Sequence, residues 1–211
     1  MPIHFTSLEF KQRQDVASAA ISSKGLDAIL LFAPESHYWL TGYDTFGFSL
    51  FQTMVLTCKG DIHLLTRAPD LRQALYTSTL SEDHIHIWDE VEGANPAKDL
   101  AKLLSELGLT KGKIGYESQT VGLTDFNGRL LRDAIPNLQD IADLMLNLRR
   151  IKSSAEIAMH QKAAALSDDA LDAAIDRTHA GAFEGDILAA MQGAVFKGGG
   201  DYAGNEFILG S

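Results

Sequence analysis

Three aromatic side chains lie close together in the stretch TGYDTFGF, residues 41–48. Tyr43, Phe46 and Phe48 follow one another at intervals of two or three residues, with glycines beside them. An aromatic face attracts a cation or an amidinium group by about 0.5–2 kcal/mol. The stretch therefore predicts a loop that stacks on a small cationic ligand, or alternatively one that only packs the edge of its own domain or a dimer contact.

Two histidines, His84 and His86, stand two residues apart and would share one face of a strand. A pair of imidazoles in this position could ligate a metal ion. The alternation with Ile85 and Ile87 is also typical of a strand with one solvated polar face, which is the interpretation we favour. The sequence contains no His-Glu-x-x-His motif, so we predict no metal ligand in this chain.

Other reactive residue types have simpler structural explanations. Cys58 ends an apolar run, which predicts a packed strand residue rather than a nucleophile. The glycine-rich stretch 197–201 lacks the Gly-Lys-Ser/Thr ending of a phosphate-binding loop, and no Gly-x-Ser-x-Gly elbow is present. Four aspartates are expected on the solvated face of one helix: Asp168, Asp169, Asp172 and Asp176.

Composition excludes several classes of partner. The 211 residues carry a formal charge of −10, which would repel nucleic acids and anionic membrane surfaces. No apolar stretch approaches the roughly 20 residues that cross a bilayer, and we see no secretory signal. The single cysteine fits a reducing compartment. We therefore expect a cytoplasmic protein that does not bind nucleic acid or membranes.

The elements that would carry these residues alternate between helix and strand up to about residue 140. Such an alternation predicts an α/β domain whose sheet lies between two layers of helices. A hairpin is expected around Lys59-Gly60-Asp61. Helices are predicted over 8–24, 70–79, 96–107, 123–134 and 142–151, and strands over 28–32, 52–58, 62–66, 84–88 and 113–117.

A second domain is predicted to begin near residue 148. Ser153 and Glu156 form a capping box that opens a long helix, and a further helix spans about 183–196. Phe207-Ile208-Leu209 is apolar at every position, like the start of a buried strand. Apolar stripes on these helices need a cover, so we expect a part of a longer protein. The alternative is that the first domain or an identical subunit covers them.

Three segments together resemble the creatinase, prolidase and aminopeptidase P family, the "pita-bread" hydrolases. The first runs from Leu26 to Tyr43, although Ser36 and His37 stand where the family commonly has asparagine and an aliphatic residue. The other two segments are 148–157 and 207–211.

The resemblance implies a creatinase-type N-terminal domain over residues 1–148, with a three-layer, ribonuclease H-like α/β fold. Residues 149–211 would begin a pita-bread α+β catalytic domain and leave it incomplete. The family's catalytic carboxylates and histidine, which usually bind two divalent metal ions such as Mn²⁺, would lie downstream. No catalytic residue and no cofactor is therefore expected within this chain.

Residues 33–48 are similar to ectoine hydrolases, which implies a C–N bond hydrolase acting on a small polar nitrogen compound. An Xaa-Pro aminopeptidase or dipeptidase, which is a metallopeptidase, is the second possibility. A non-catalytic binding or chaperone module is the third.

The family also implies a homodimer in which the N-terminal domain reaches the active site of its partner. Tyr43, Phe46 and Phe48 would then line the substrate pocket of the partner subunit. Phe207 would lie at the floor of the pocket in its own subunit.

Overall fold

The computed structural model describes residues 3–202, 204 and 206–210. The chain divides into two compact units, residues 1–151 and residues 152–211. This division falls three residues beyond the boundary predicted at residue 148.

The first unit alternates helices and strands, as the sequence predicts. Its helices are α1 (Ser7–Ser23), α2 (Pro34–Thr41), α3 (Ala68–Thr77), α4 (Pro96–Glu106), α5 (Asp125–Ala134) and α6 (Ala142–Arg150). Its strands are β1 (Ala28–Leu31), β2 (Thr53–Thr57), β3 (Ile62–Arg67), β4 (Ile85–Trp88), β5 (Ile114–Tyr116) and β6 (Gln139–Asp140).

One six-stranded mixed sheet organises this unit, in the order β4-β3-β2-β1-β5-β6. The central strands β1, β2 and β3 are antiparallel neighbours, and the predicted hairpin joins β2 to β3. The outer pairs β3–β4, β1–β5 and β5–β6 are parallel. Gly60 turns the hairpin with φ of +95°, a conformation that favours glycine.

Helices cover both faces of the sheet, which confirms the three-layer α/β prediction. One buried cluster joins Ile21 of α1 and Leu40 of α2 to the sheet. The other joins Leu100 of α4 and Leu131 of α5 to the opposite face. Every residue of β1 is buried because this strand is covered from both sides, and each of its isoleucine and leucine side chains stabilises the fold by about 1.5–3 kcal/mol.

Helix α2 was not predicted from the sequence. Pro34 stands in its first turn, and Gly42 ends it with φ of +82°, the usual placement of these residues. A Cβ at Gly42 would lie only 3.0 Å from the carbonyl oxygen of Thr77, so this helix end requires glycine.

The second unit contains α7 (Ser154–Arg177) and α8 (Glu184–Lys197). The predicted capping box is confirmed: the amide of Glu156 donates to Ser153 Oγ at 3.2 Å, and the amide of Ser153 donates to Glu156 Oε2 at 2.8 Å. The apolar stripe of α7 includes Leu171 and Ile175, and both are exposed in the described part of the chain, in line with the expectation that these stripes need a further cover. The four aspartates of α7 are exposed, as predicted.

The strand predicted at Phe207 is not observed. Residues 206–210 form no strand, and Ile208 is 96% exposed. A strand needs a neighbour to satisfy its backbone hydrogen bonds, and the described part of the chain supplies none here. Ser211 lies outside the described residues. None of the described helices is both long and apolar enough to cross a bilayer.

Candidate functional site

The predicted aromatic residues occupy different environments. Tyr43 is fully buried, Phe48 is partly buried, and Phe46 is 74% exposed. Phe207 belongs to the second unit and is partly buried there. The aromatic loop, defined here as residues 43–52, therefore presents Phe46 and Phe48 but not Tyr43.

Tyr43 is held inside the domain by a polar contact and a ring contact. Its hydroxyl accepts a hydrogen bond from Gln52 Nε2 at 2.8 Å, and its ring stacks on that of His37 at 6.2 Å between centroids. Burial, together with the nearby charge of Asp70, raises the pKa of Tyr43 above its ordinary value. The ring has no exposed face for a ligand, so Tyr43 supports the loop from below instead of stacking on a substrate.

Gln52 extends this contact into a buried polar network beneath the loop. Its Nε2 also donates to Thr66 Oγ1 at 2.7 Å, and Thr66 Oγ1 donates to Asp70 Oδ2 at 3.4 Å. A Cβ at Gly47 would lie 2.8 Å from Gln52 Nε2 and 3.0 Å from Asp70 Oδ2. The backbone at Gly47 therefore sits directly on the network, which leaves no room for a side chain.

A charged chain of side chains borders the same network. Arg67 Nε donates to Asp70 Oδ2 at 3.1 Å, and Arg67 Nη1 donates to Glu90 Oε2 at 3.3 Å. The side chains of Arg67 and Asp70 are mostly buried, so this pair is screened less by solvent than a surface pair. Arg67 links the N-terminal end of α3 to the segment after β4.

Local hydrogen bonds fix the tip of the loop. The amide of Gly47 donates to Thr45 Oγ1 at 2.7 Å, and Ser49 Oγ donates to the carbonyl oxygen of Phe46 at 3.2 Å. The amide of Asp44 donates to Thr77 Oγ1 of α3 at 3.2 Å. Phe46 is thus a large apolar ring exposed on a braced loop, an arrangement suited to contact with another molecule.

A second buried network was not foreseen from the sequence. The Glu117 carboxylate accepts hydrogen bonds from the amides of Phe32 and Ala33 at 3.1 and 3.0 Å and from Ser36 Oγ at 2.6 Å. Arg149 Nη1 donates to Ser36 Oγ at 3.1 Å. Burial raises the pKa of Glu117, while these hydrogen bonds and the Arg149 charge oppose the rise.

This network is structural, because it joins the end of β1 and the first turn of α2 to α6. The departure of Ser36 from the family pattern was the one sequence signal that could have indicated it.

The described residues do not fit the metal set of the pita-bread family. No group of three or more His, Cys, Asp or Glu side chains among them is arranged to hold a metal ion. His84 and His86 share one face, as predicted, but that face is partly buried beside His63 and is not fully solvated.

The first unit is a three-layer α/β domain, with a mixed six-stranded sheet between two helical layers. Solved structures show the same fold. The X-Pro aminopeptidase from Thermotoga maritima gives a TM-score of 0.70 at 20% identity, over 88% of this chain and 49% of that chain. The Xaa-Pro dipeptidase from Bacillus anthracis gives 0.68 at 20% identity, over 89% and 49%.

Residues 13–151 match the creatinase/prolidase N-terminal domain, and the chain belongs to this family. An uncharacterised hydrolase/peptidase of Sinorhizobium fredii is 24% identical over 96% of this chain and 53% of the relative. The ectoine hydrolase of Halomonas elongata is 28% identical over 72% of this chain and 40% of the relative. The chain spans about half the length of the curated relatives it matches.

Proposed function

We propose that this chain supplies the N-terminal domain of a C–N bond hydrolase, in which Phe46 of the aromatic loop enters the substrate pocket of a second copy. The observation that carries the proposal is the exposure of Phe46 on a loop braced by buried hydrogen bonds. The relatives named as hydrolases and peptidases support the reaction class.

A braced aromatic ring is well suited to recognition because little conformational freedom remains to be lost on binding. Tyr43, Gln52 and Thr66 fix the base of the loop, and Thr45 fixes its tip. The Phe46 ring is therefore already oriented before a partner binds.

The charge around the loop favours a cationic or amidinium-bearing ligand. Asp44, two residues before Phe46 in the loop, is exposed, and the whole chain carries a formal charge of −10. A cation in front of the Phe46 ring would gain both cation–π attraction and a negative local potential. A small polar nitrogen compound, with ectoine as the first candidate, has this character.

The second candidate is an Xaa-Pro peptidase, the class to which the Bacillus anthracis and Thermotoga maritima proteins of the same fold belong. A non-catalytic binding module is the third. Adding Mn²⁺ to the full-length protein separates them: a peptidase should gain activity on Xaa-Pro dipeptides, and a binding module should hydrolyse neither dipeptides nor ectoine. The homodimer, the two divalent ions of the full-length protein and the cytoplasmic location stay predictions.

The test is Phe46→Ala in the full-length protein, assayed for hydrolysis of ectoine and of an Xaa-Pro dipeptide. Loss of one cation–π contact of about 0.5–2 kcal/mol should raise KM by about 2- to 30-fold. The melting temperature should not change because the ring is exposed. Phe126→Ala is the matched control, since Phe126 is a 61% exposed phenylalanine on α5. If KM is the same in the two variants, Phe46 does not line the substrate pocket.

A further inference from the structure

Three histidines from two segments of the first unit meet at one edge of its sheet. The parallel register pairs Leu65 of β3 with His86 of β4. His63 Nδ1 lies 3.1 Å from His86 Nε2, and the His63 ring stacks on that of His84 at 4.9 Å between centroids. We call His63, His84 and His86 the three-histidine cluster.

The contact between His63 and His86 joins two ring nitrogens, of which one donates and the other accepts. Burial, followed by the neighbouring His84 and His86, lowers the pKa of His63 to about 4. Burial also lowers the pKa of His86. Both imidazoles are therefore neutral at physiological pH, the form in which a ring nitrogen ligates metal.

The spacing of these two nitrogens matches that of a shared metal. Two imidazole nitrogens bound to one tetrahedral Zn²⁺ at about 2.0–2.1 Å lie about 3.3 Å apart, a few tenths of an ångström more than the distance found here. We propose that His63 Nδ1 and His86 Nε2 bind an exchangeable divalent transition-metal ion of the Zn²⁺ class.

Binding requires a small rotation of the two rings towards the ion and a change of tautomer. A single proton lies between the two nitrogens in the metal-free pair. When a metal ion binds both nitrogens from one side of the line that joins them, the proton moves to the other nitrogen of the ring that carried it. Both rings then bear one N–H each, and no net proton is released.

The surroundings favour a cation and give it access. Asp61 and Glu106 act electrostatically on His63 and His86, and each carboxylate contributes negative potential. A cavity of about 410 Å³ opens at His63 and is also lined by Asp61 and Cys58. Because fewer than three described ligands converge, water would complete the coordination and the ion would exchange.

This site differs from the family's downstream carboxylate centre in both ligands and position. Imidazole ligands suit Zn²⁺, Ni²⁺ and Cu²⁺, whereas carboxylates suit Mn²⁺ and Mg²⁺. The proposal therefore stands independently of the hydrolase function. An ion held between β3 and β4 would also tie the edge strand to the sheet.

The experiment titrates Zn²⁺ into the tag-free chain by calorimetry, with His63→Ala and His86→Gln as variants. Each variant should weaken the binding by at least about tenfold relative to wild type. His160→Gln, which removes an exposed histidine of α7, is the matched control. Circular dichroism verifies that each variant is folded. If His63→Ala does not fold, His86→Gln, which changes a residue of the edge strand, tests the proposal by itself.

Ring-nitrogen NMR identifies the ligands directly. Zn²⁺ should shift the signals of His63 Nδ1 and His86 Nε2 before those of any other histidine. Binding that is unchanged in both cluster variants, or that is lost equally in His160→Gln, would overturn the proposal.

Discussion

Lowering the pH from 7 to 5 should destabilise the first unit through one buried imidazole, that of His37. This side chain has no exposed surface. Its Nε2 donates to the carbonyl oxygen of Leu31 at 2.8 Å, and its Nδ1 has no hydrogen-bond partner among the described residues. Burial lowers the pKa of His37 from 6.5 to about 4, while the Leu31 bond and the Glu35 charge oppose the change.

The direction of this stability change follows from proton binding in the folded and unfolded states. Between pH 6.5 and about 4 the unfolded chain binds a proton at His37 and the folded chain does not. The stabilising contribution is therefore complete above pH 6.5 and is lost as the pH falls towards 4. Its full size is about 3 kcal/mol, of which about 2 kcal/mol is lost by pH 5.

Urea unfolding followed by tryptophan fluorescence measures this loss. Trp39 and Trp88, the two tryptophans of the chain, both lie in the first unit, so the signal reports that unit. His37→Gln cannot titrate, and its amide can still donate to Leu31.

Wild type should lose about 2 kcal/mol more than His37→Gln between pH 7 and pH 5. Contributions from His63 and from the carboxylates cancel in this difference. An equal loss in the two proteins would refute the reasoning, because His37 would then not be held neutral by the fold.

Two further predictions concern stability. A Cβ at Gly122 would lie 2.0 Å from the carbonyl oxygen of Phe32, so Gly122→Ala should cost at least about 1–3 kcal/mol in urea unfolding. Gly128→Ala, in α5 of the same unit, is its control because a Cβ there meets only the flexible end of the Arg132 side chain, at 3.2 Å, and equal stabilities of the two variants would contradict the expected clash. The pKa of Glu117 is raised above 4.5 by burial, so the folded chain keeps this proton longer than the unfolded chain. The free energy of unfolding of wild type should therefore fall relative to that of Glu117→Gln as the pH rises above about 4.5. If the difference between the two free energies stays constant with pH, the pKa of Glu117 is not raised by the fold.

Local sequence signals predicted most of the fold. The apolar run at 28–32 became the fully buried β1, and the capping box at Ser153 opens α7 at the expected residue. These signals act over a few residues and so are visible in the sequence alone. Helix α2 and the two-residue β6 were missed because short elements depend on tertiary packing more than on periodicity.

The environments of the site residues could not be predicted in the same way. Tyr43 and Phe46 stand three residues apart in an irregular loop, where no period assigns one ring to the core and the other to solvent. The pairing of His63 with His86 depends on the register of two strands. The bond between Ser36 and Glu117 joins residues 81 positions apart. Such contacts are fixed by topology and not by local pattern.

Helix α2 connects the two buried networks through adjacent residues. Ser36 binds Glu117, which fixes the start of the helix, and His37 stacks on Tyr43, which supports the aromatic loop. These two residues are also where the chain departs from the common family pattern. Because Tyr43 is anchored against this helix, the position of the loop is set by the core of the domain. The exposure of Phe46 is consequently a property of the whole folded unit and not of a freely moving segment.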